Sequence, residues 1–256
     1  MSDAPQSGSL DGWRVLVTRP AHQAENLCRL IEAQGGKAER LPLISIEPLA
    51  HSAAAARLLD SARGWDGWIF TSANAVRHAA QIQRGEWCKT LYAIGGATAA
   101  ALDAGGREIT AAPVSAYSSE ALLALPDFQQ VQGRRYLIVT GELGLDLLAN
   151  GLRERGALVE IAEVYRRLPM PYDEARVLAA LRGIDAIVVT SGEALEHLLQ
   201  LTPESSQATL QKKYLVVPSG RVVEKARSLG FARVHAPAQM ADAPLLELLK
   251  ELHAHE

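Results

Sequence analysis

The chain has 256 residues, 48% of them hydrophobic and 21% charged, with a formal net charge of −3. This length suits one large domain or two ordinary ones, the composition is globular and excludes long disorder, and the weak negative charge excludes a general attraction to nucleic acid. An anionic ligand must therefore be held by local groups.

From the N-terminus, MSDAPQSGSLDG is polar and lacks the apolar segment of a secretion signal. No apolar run approaches the ~18 residues of a membrane span, so a cytoplasmic protein without membrane association is expected. VLVTRP (Val15 to Pro20) reads as a buried strand ending in a corner; the helix after it carries Leu27, Leu30 and Ile31 on one face and ends at Gly35-Gly36. LPLISIEPL (Leu41 to Leu49) is extended and bounded by proline, and SAAAARLLDSA after it is helical. WIFTSANAV (Trp68 to Val76) and LYAIGGATAAALDAGG (Leu91 to Gly106) are two more strand–corner–helix units. YSSEALL (Tyr117 to Leu123) reads as a capped helix start.

The series then begins again. LIVTGE (Leu137 to Glu142) matches VLVTRP, and its helix ends at Gly156. IAEVYRRLPMP (Ile161 to Pro171) matches LPLISIEPL, and YDEARVLAALRG supplies the helix. IVVTSGEAL (Ile187 to Leu195) matches WIFTSANAV, and YLVVPSGRVVEKARSLGF (Tyr214 to Phe231) matches the Leu91 unit. The period is about 120 residues, the mark of a duplicated architecture. Short apolar runs alternating with amphipathic helices imply parallel sheets with crossover connections. The expected fold is α/β, with two similar lobes, each a parallel sheet flanked by helices. A simple division cuts near residue 123. The alternative lets the two extended segments cross between lobes, so that the N-terminal unit packs with the last third of the chain.

Ligands of such lobes sit beyond the carboxyl ends of the strands, where helix N-termini offer free N–H groups and a positive dipole end suited to carboxylate or phosphate. Thr71-Ser72 and Thr190-Ser191 also suit plain N-capping. The segment AIGGATAAALDAGG lacks GxGxxG spacing, and neither a GxxxxGK[ST] loop nor a GxSxG elbow occurs. Cys28 and Cys88 have no CxxC spacing or neighbouring His cluster, so neither a disulfide scaffold nor a metal site is expected. Glu193 and His197, at i and i+4, read as a solvated pair on one helix face. Tyr165 lies on the second extended segment, where packing and proton donation are both open to it. Two other classes compete at this level: a two-lobed binder of a small anion, and a nucleotide-using transferase.

In order and spacing, VLVTRP, IFTSANAV, AIGGATAAALDAGG, YLIVTGELGLDLLANGLRERGALVEIAEVYRR and IVVTSGEALEHLL resemble the uroporphyrinogen-III synthase family, over nearly the whole chain. The resemblance implies two lobes joined by a two-stranded β linker: 1–41 with 171–256 as one lobe, 49–161 as the other, and 42–48 and 162–170 as the linker strands. It implies a substrate, hydroxymethylbilane, which is a linear tetrapyrrole bearing multiple carboxylates. The enzyme closes it with inversion of ring D through a spiro intermediate, releasing water, and needs no cofactor and no metal. It further implies a monomer with transient contact to the preceding pathway enzyme. Carried over by position, Tyr165 is the expected catalytic proton donor. Thr98 of the GxxTA turn and Ser72 of FTS are expected to bind or orient substrate. Arg19 and the backbone of Gly141, Ser191 and Gly192 are further candidates, with Thr71, Ala73, Gly96, Thr140, Ser219 and Gly220 at the same corners. The C-terminal corner departs from the family pattern: VVPSGRVV places Arg221 or Val222 where a threonine is expected.

Overall fold

The computed structural model of the protein describes residues 9–49, 53–61, 64–113, 118–142 and 146–256. The polar tail up to residue 8 and Tyr117 lie outside them. In chain order the strands are β1 (Arg14–Val17), β2 (Lys37–Arg40), β3 (Ile44–Pro48), β4 (Gly67–Phe70), β5 (Leu91–Ala93), β6 (Arg135–Gly141), β7 (Leu158–Pro169), β8 (Ala186–Val188), β9 (Tyr214–Val216) and β10 (Arg233–His235). The helices are α1 (Ala21–Ala33), α2 (Ala53–Asp60), α3 (Ala73–Ile82), α4 (Gly96–Ala104), α5 (Ser119–Leu123), α6 (Asp146–Glu154), α7 (Glu174–Leu181), α8 (Gly192–Leu201), α9 (Glu204–Leu210), α10 (Gly220–Ser228) and α11 (Asp242–Ala254). None of these is long and apolar enough to cross a membrane.

The chain divides into two compact units, Met1–Ser45 with Leu168–Glu256, and Ile46–Arg167. The first holds a sheet of order β10-β9-β8-β1-β2 in which every neighbouring pair is parallel. β1 is central. Val15, Leu16 and Val17 are fully buried, as are Ile187 and Val188 of its neighbour β8, because helices cover both faces of a parallel sheet. The register Val15↔Ala186, Leu16↔Ile187, Val17↔Val188 joins residues about 170 apart in the chain, which rules out the simple cut near residue 123. On one face, Leu27, Cys28 and Ile31 of α1 pack with Leu245 and Leu249 of α11 over β1. Each fully buried aliphatic side chain of this kind is worth about 1.5–3 kcal/mol. α1 stops where Gly35 takes a left-handed φ of +82° and the Gly36 N–H reaches back to the Ile31 carbonyl at 3.1 Å.

The second unit contains most of a sheet of order β3-β7-β6-β4-β5, with β4, β5, β6 and β7 parallel. Its strands alternate between two apolar layers. Trp68, Phe70, Leu137 and Val139 enter one cluster, while Ile69, Tyr136 and Ile138 enter another with Phe128, Leu148 and Leu152. β3 runs antiparallel to β7: Ser45 Oγ lies 3.4 Å from the Leu168 carbonyl, and Arg166 pairs with Glu47 at 3.3 Å. The chain passes from one unit to the other within β3 and again within β7. One stretch differs from the sequence expectation. Ala162, Glu163 and Tyr165, in the segment that the resemblance gives to a linker strand, are laddered to β6, with a register shift at Thr140/Gly141 that passes over Val164.

Candidate active site

In the second unit the carboxyl ends of β4, β5 and β6 lie side by side, and each leads into a corner where the sequence placed candidate residues. After β4, Ser72 is the N-cap of α3: its backbone is extended and its Oγ accepts the Ala75 N–H at 3.0 Å. Ala73 opens that helix. Thr71 Oγ1 donates to Thr140 Oγ1 at 2.8 Å, so two predicted residues from different strands meet directly. After β5, Gly95 caps α4 with no side-chain bond, Gly96 is exposed and Thr98 is buried one turn in.

Tyr165 joins this group from β7. Its phenol oxygen lies 3.1 Å from Ser72 Oγ, its ring lies against Gly141, and only 6% of the residue is exposed. A serine hydroxyl has one proton and two lone pairs. Ser72 uses one lone pair for the Ala75 N–H, so its own proton is available to the Tyr165 oxygen. That arrangement leaves the phenol proton to be given elsewhere. Thr71 with Thr140, and Ser72 with Tyr165, thus bring four hydroxyls to the carboxyl edge of the sheet, with Gly141 against the phenol ring.

In the first unit the carboxyl ends of β1, β8 and β9 are likewise neighbours, and the candidates lie just beyond them. Ser191 caps α8, its Oγ accepting the Ala194 N–H at 3.0 Å, and Gly192 lies beside the aliphatic part of Lys225. Ser219 and Gly220 open α10 without a side-chain cap, with open space around the Gly220 Cα. Arg221 is exposed. Arg19 turns inward: it is 7% exposed, forms an ion pair with Asp242 and donates to the Met240 carbonyl at 2.9 Å. His197 contacts the Met170 carbonyl at 2.9 Å, a tie to the segment after β7 that the i, i+4 spacing with Glu193 did not suggest.

His78, which sequence reasoning passed over, stacks on Tyr165 with ring centroids 5.6 Å apart and planes 25° apart. On α3 it reads as one more polar residue on an amphipathic helix; only its spacing of six from the Ser72 cap placed it near the corner. Burial pushes the Cys28 and Cys88 thiols up, away from the thiolate that nucleophilic chemistry requires. Among the described residues no group of three or more His, Cys, Asp or Glu is placed to hold a metal ion.

Comparison with known proteins bears on this geometry. The family model described as uroporphyrinogen-III synthase HemD matches residues 25–247. The uroporphyrinogen-III synthase of Salmonella typhimurium is 34% identical over 244 residues, covering 92% of this chain and 99% of its own; that of Escherichia coli K12 is 32% identical with the same coverage. Among solved structures, a mutant uroporphyrinogen III synthase from Thermus thermophilus superposes with a TM-score of 0.66 at 22% identity, over 96% of this chain and 100% of that one. The Helicobacter pylori enzyme gives 0.61 at 15% identity, over 94% and 99%. Those two structures share the fold; the two bacterial sequences and the family model carry the relationship, and by them the chain belongs to the uroporphyrinogen-III synthase family.

Proposed function

We propose that Tyr165 is the acid of a ring closure in which hydroxymethylbilane becomes uroporphyrinogen III. Membership of the family makes the protein a cyclising lyase of tetrapyrrole synthesis, on the route to heme. In the proposed step the phenol gives its proton to the ring A hydroxymethyl oxygen, the C–O bond breaks and water leaves. An azafulvene cation remains. The substituted carbon of ring D attacks it to form a spiro-pyrrolenine, which fragments and recloses as the type III isomer. The proton released as the macrocycle regains its aromatic pyrroles restores the phenol.

The observation that carries this reading is the 3.1 Å contact of the Tyr165 oxygen with Ser72, a hydroxyl already fixed by the α3 backbone. It supports a phenol with a set direction, which is what a positioned acid requires. For the carboxylates of the substrate, the uncapped corners are the better receptors. Ser72 and Ser191 already satisfy an N–H of their own helices, whereas Gly95-Gly96 and Ser219-Gly220 use no side chain for this purpose. Thr98 adds a hydroxyl at the first of these, and Thr71, Thr140, Gly141 and the α3 and α8 N-termini orient the remainder. The proposal extends to β3 and β7 as a two-strand linker that flexes between the units, and to a cytoplasmic monomer in transient contact with the enzyme that makes its substrate. Sedimentation with and without that enzyme reads the last point.

The test of function supplies freshly made hydroxymethylbilane and resolves the uroporphyrin isomers after oxidation. Type III product above the spontaneous background is expected; type I alone, at the uncatalysed rate, defeats the reading. Tyr165→Phe is expected to lose on the order of 100-fold in kcat, the usual worth of one positioned acid, with a folded protein that is less stable by only about 1 kcal/mol for the lost bond to Ser72. Activity equal to the parent removes Tyr165 from the role.

A further inference from the structure

We infer that Gly141 and His78 are positioning residues that clamp the Tyr165 ring, so that its hydroxyl meets Ser72 and its proton points one way. The inference rests on the role proposed above for Tyr165.

The β6–β7 ladder stays in step from Arg135↔Leu158 to Thr140↔Glu163, then skips to Gly141↔Tyr165. Val164 is the extra residue. In a regular strand, adjacent side chains point to opposite faces. Here Val164 and Tyr165, though adjacent, enter the same apolar cluster as Ala162. The skip has therefore turned the Tyr165 ring out of the alternation, and a 2.7 Å bond from the Glu142 N–H to the Tyr165 carbonyl fixes the backbone just past it.

Gly141 makes room for that turn. A Cβ on it would stand 2.5 Å from Tyr165 Cζ, 2.7 Å from Cε2 and 3.0 Å from Cε1, the three atoms at the hydroxyl end of the ring. Its φ is not among the positive ones. Glycine is thus required at 141 for close approach of the ring, not for backbone conformation. His78 supplies the stacked neighbour at 5.6 Å. It lies on α3, the helix whose N-cap is Ser72, so one rigid element sets both the partner of the phenol oxygen and the contact with the ring. Neither Gly141 nor His78 needs to touch substrate to act this way.

The test is steady-state kinetics of the full chain on hydroxymethylbilane, with Gly141→Ala, His78→Ala and His78→Phe made alone and each combined with Tyr165→Phe. A methyl at 141 must push the ring about 1 Å to reach ordinary contact. Gly141→Ala should then lower kcat on the order of 100-fold with KM within ~3-fold. His78→Ala should lower kcat about 10-fold, and His78→Phe, which keeps a flat ring, should recover most of that. In the Tyr165→Phe background these losses should vanish, since no acid remains to be positioned. Losses that multiply with that of Tyr165→Phe would overturn the inference, as would parent kcat in Gly141→Ala or no recovery with Phe at 78. If Gly141→Ala fails to fold, the two His78 variants decide. Parent activity in Tyr165→Phe alone would instead strike the role of Tyr165, a distinct result that removes the clamp with it.

Discussion

Asp242→Asn decides whether Arg19 is a scaffold residue or a receptor for substrate carboxylate. The Arg19 side chain is 8% exposed and that of Asp242 23%. Besides the ion pair, Asp242 accepts from Asn26 Nδ2 at 2.7 Å, and it stands in the first turn of α11, whose leucines pack on α1. Removing one partner of a fully buried ion pair costs about 3–5 kcal/mol, because the other charge stays desolvated. Water reaches Asp242 in part, and Arg19 keeps its bond to the Met240 carbonyl, so a loss of about 2 kcal/mol is reasonable here. Losing a carboxylate at a helix N-terminus adds about 0.5 kcal/mol. The sum of about 2.5 kcal/mol should lower the melting temperature by ~5–10 °C in a chain of this size. Calorimetry reads the loss, and kinetics well below both transitions should give a KM within ~2-fold of the parent. The double change Arg19→Met with Asp242→Leu should recover most of the stability. If Asp242→Asn melts within ~1 °C of the parent while KM rises about tenfold, the guanidinium serves the substrate and the scaffold argument is wrong.

Thr140→Val keeps the shape of a buried side chain and removes the acceptor of Thr71 Oγ1, leaving that hydroxyl only the Val139 carbonyl at 3.4 Å. A stability loss of about 1 kcal/mol in urea and a few-fold drop in kcat/KM are expected; no change in either would make the pair idle. Burial first, and the charge of Arg227 second, hold the His235 imidazole below its ordinary value of 6.5. The unfolded chain then binds more protons than the folded one in that range, so stability is complete above pH 6.5 and is lost as pH falls below it. His235→Gln should flatten this acid limb of a stability–pH curve, and an unchanged slope would assign the limb to other groups.

The buried strands were legible because parallel sheets covered on both faces need continuous apolar runs, and Val15–Val17, Trp68–Phe70 and Ala186–Val188 have little else. The two extended, proline-bounded segments offered the packing of the N-terminal unit with the last third of the chain, and β1 does pair with β8. The Thr-Ser corners were legible as caps, and Ser72 and Ser191 do cap α3 and α8. What sequence could not supply is the cluster around Tyr165. The register skip after Thr140 has no residue signature, and Gly141 looks like any turn glycine until the ring beside it is seen. Arg19 is a similar case: its partner lies 223 residues away, and nothing local marks it as paired. Patterns of period two and 3.6 report how an element faces its core. They are silent on which distant side chain arrives at its end.

The division of the chain carries a consequence for biosynthesis. Ile46–Arg167 is one unbroken stretch, inserted between two parts of the other unit. Its strands β4 to β6 and all but the last two residues of β7 are available once Arg167 has left the ribosome. β1 is made first, yet three of the five strands in its sheet, β8 among them, come after residue 185. During synthesis the earliest strand has only β2 to pair with, and its other edge must wait for β8 about 170 residues later; long loop closures of this kind are slow. A nascent chain stalled after β7 should hold protease-resistant Ile46–Arg167, with β1 and β2 still open to protease along the edge that β8 later covers.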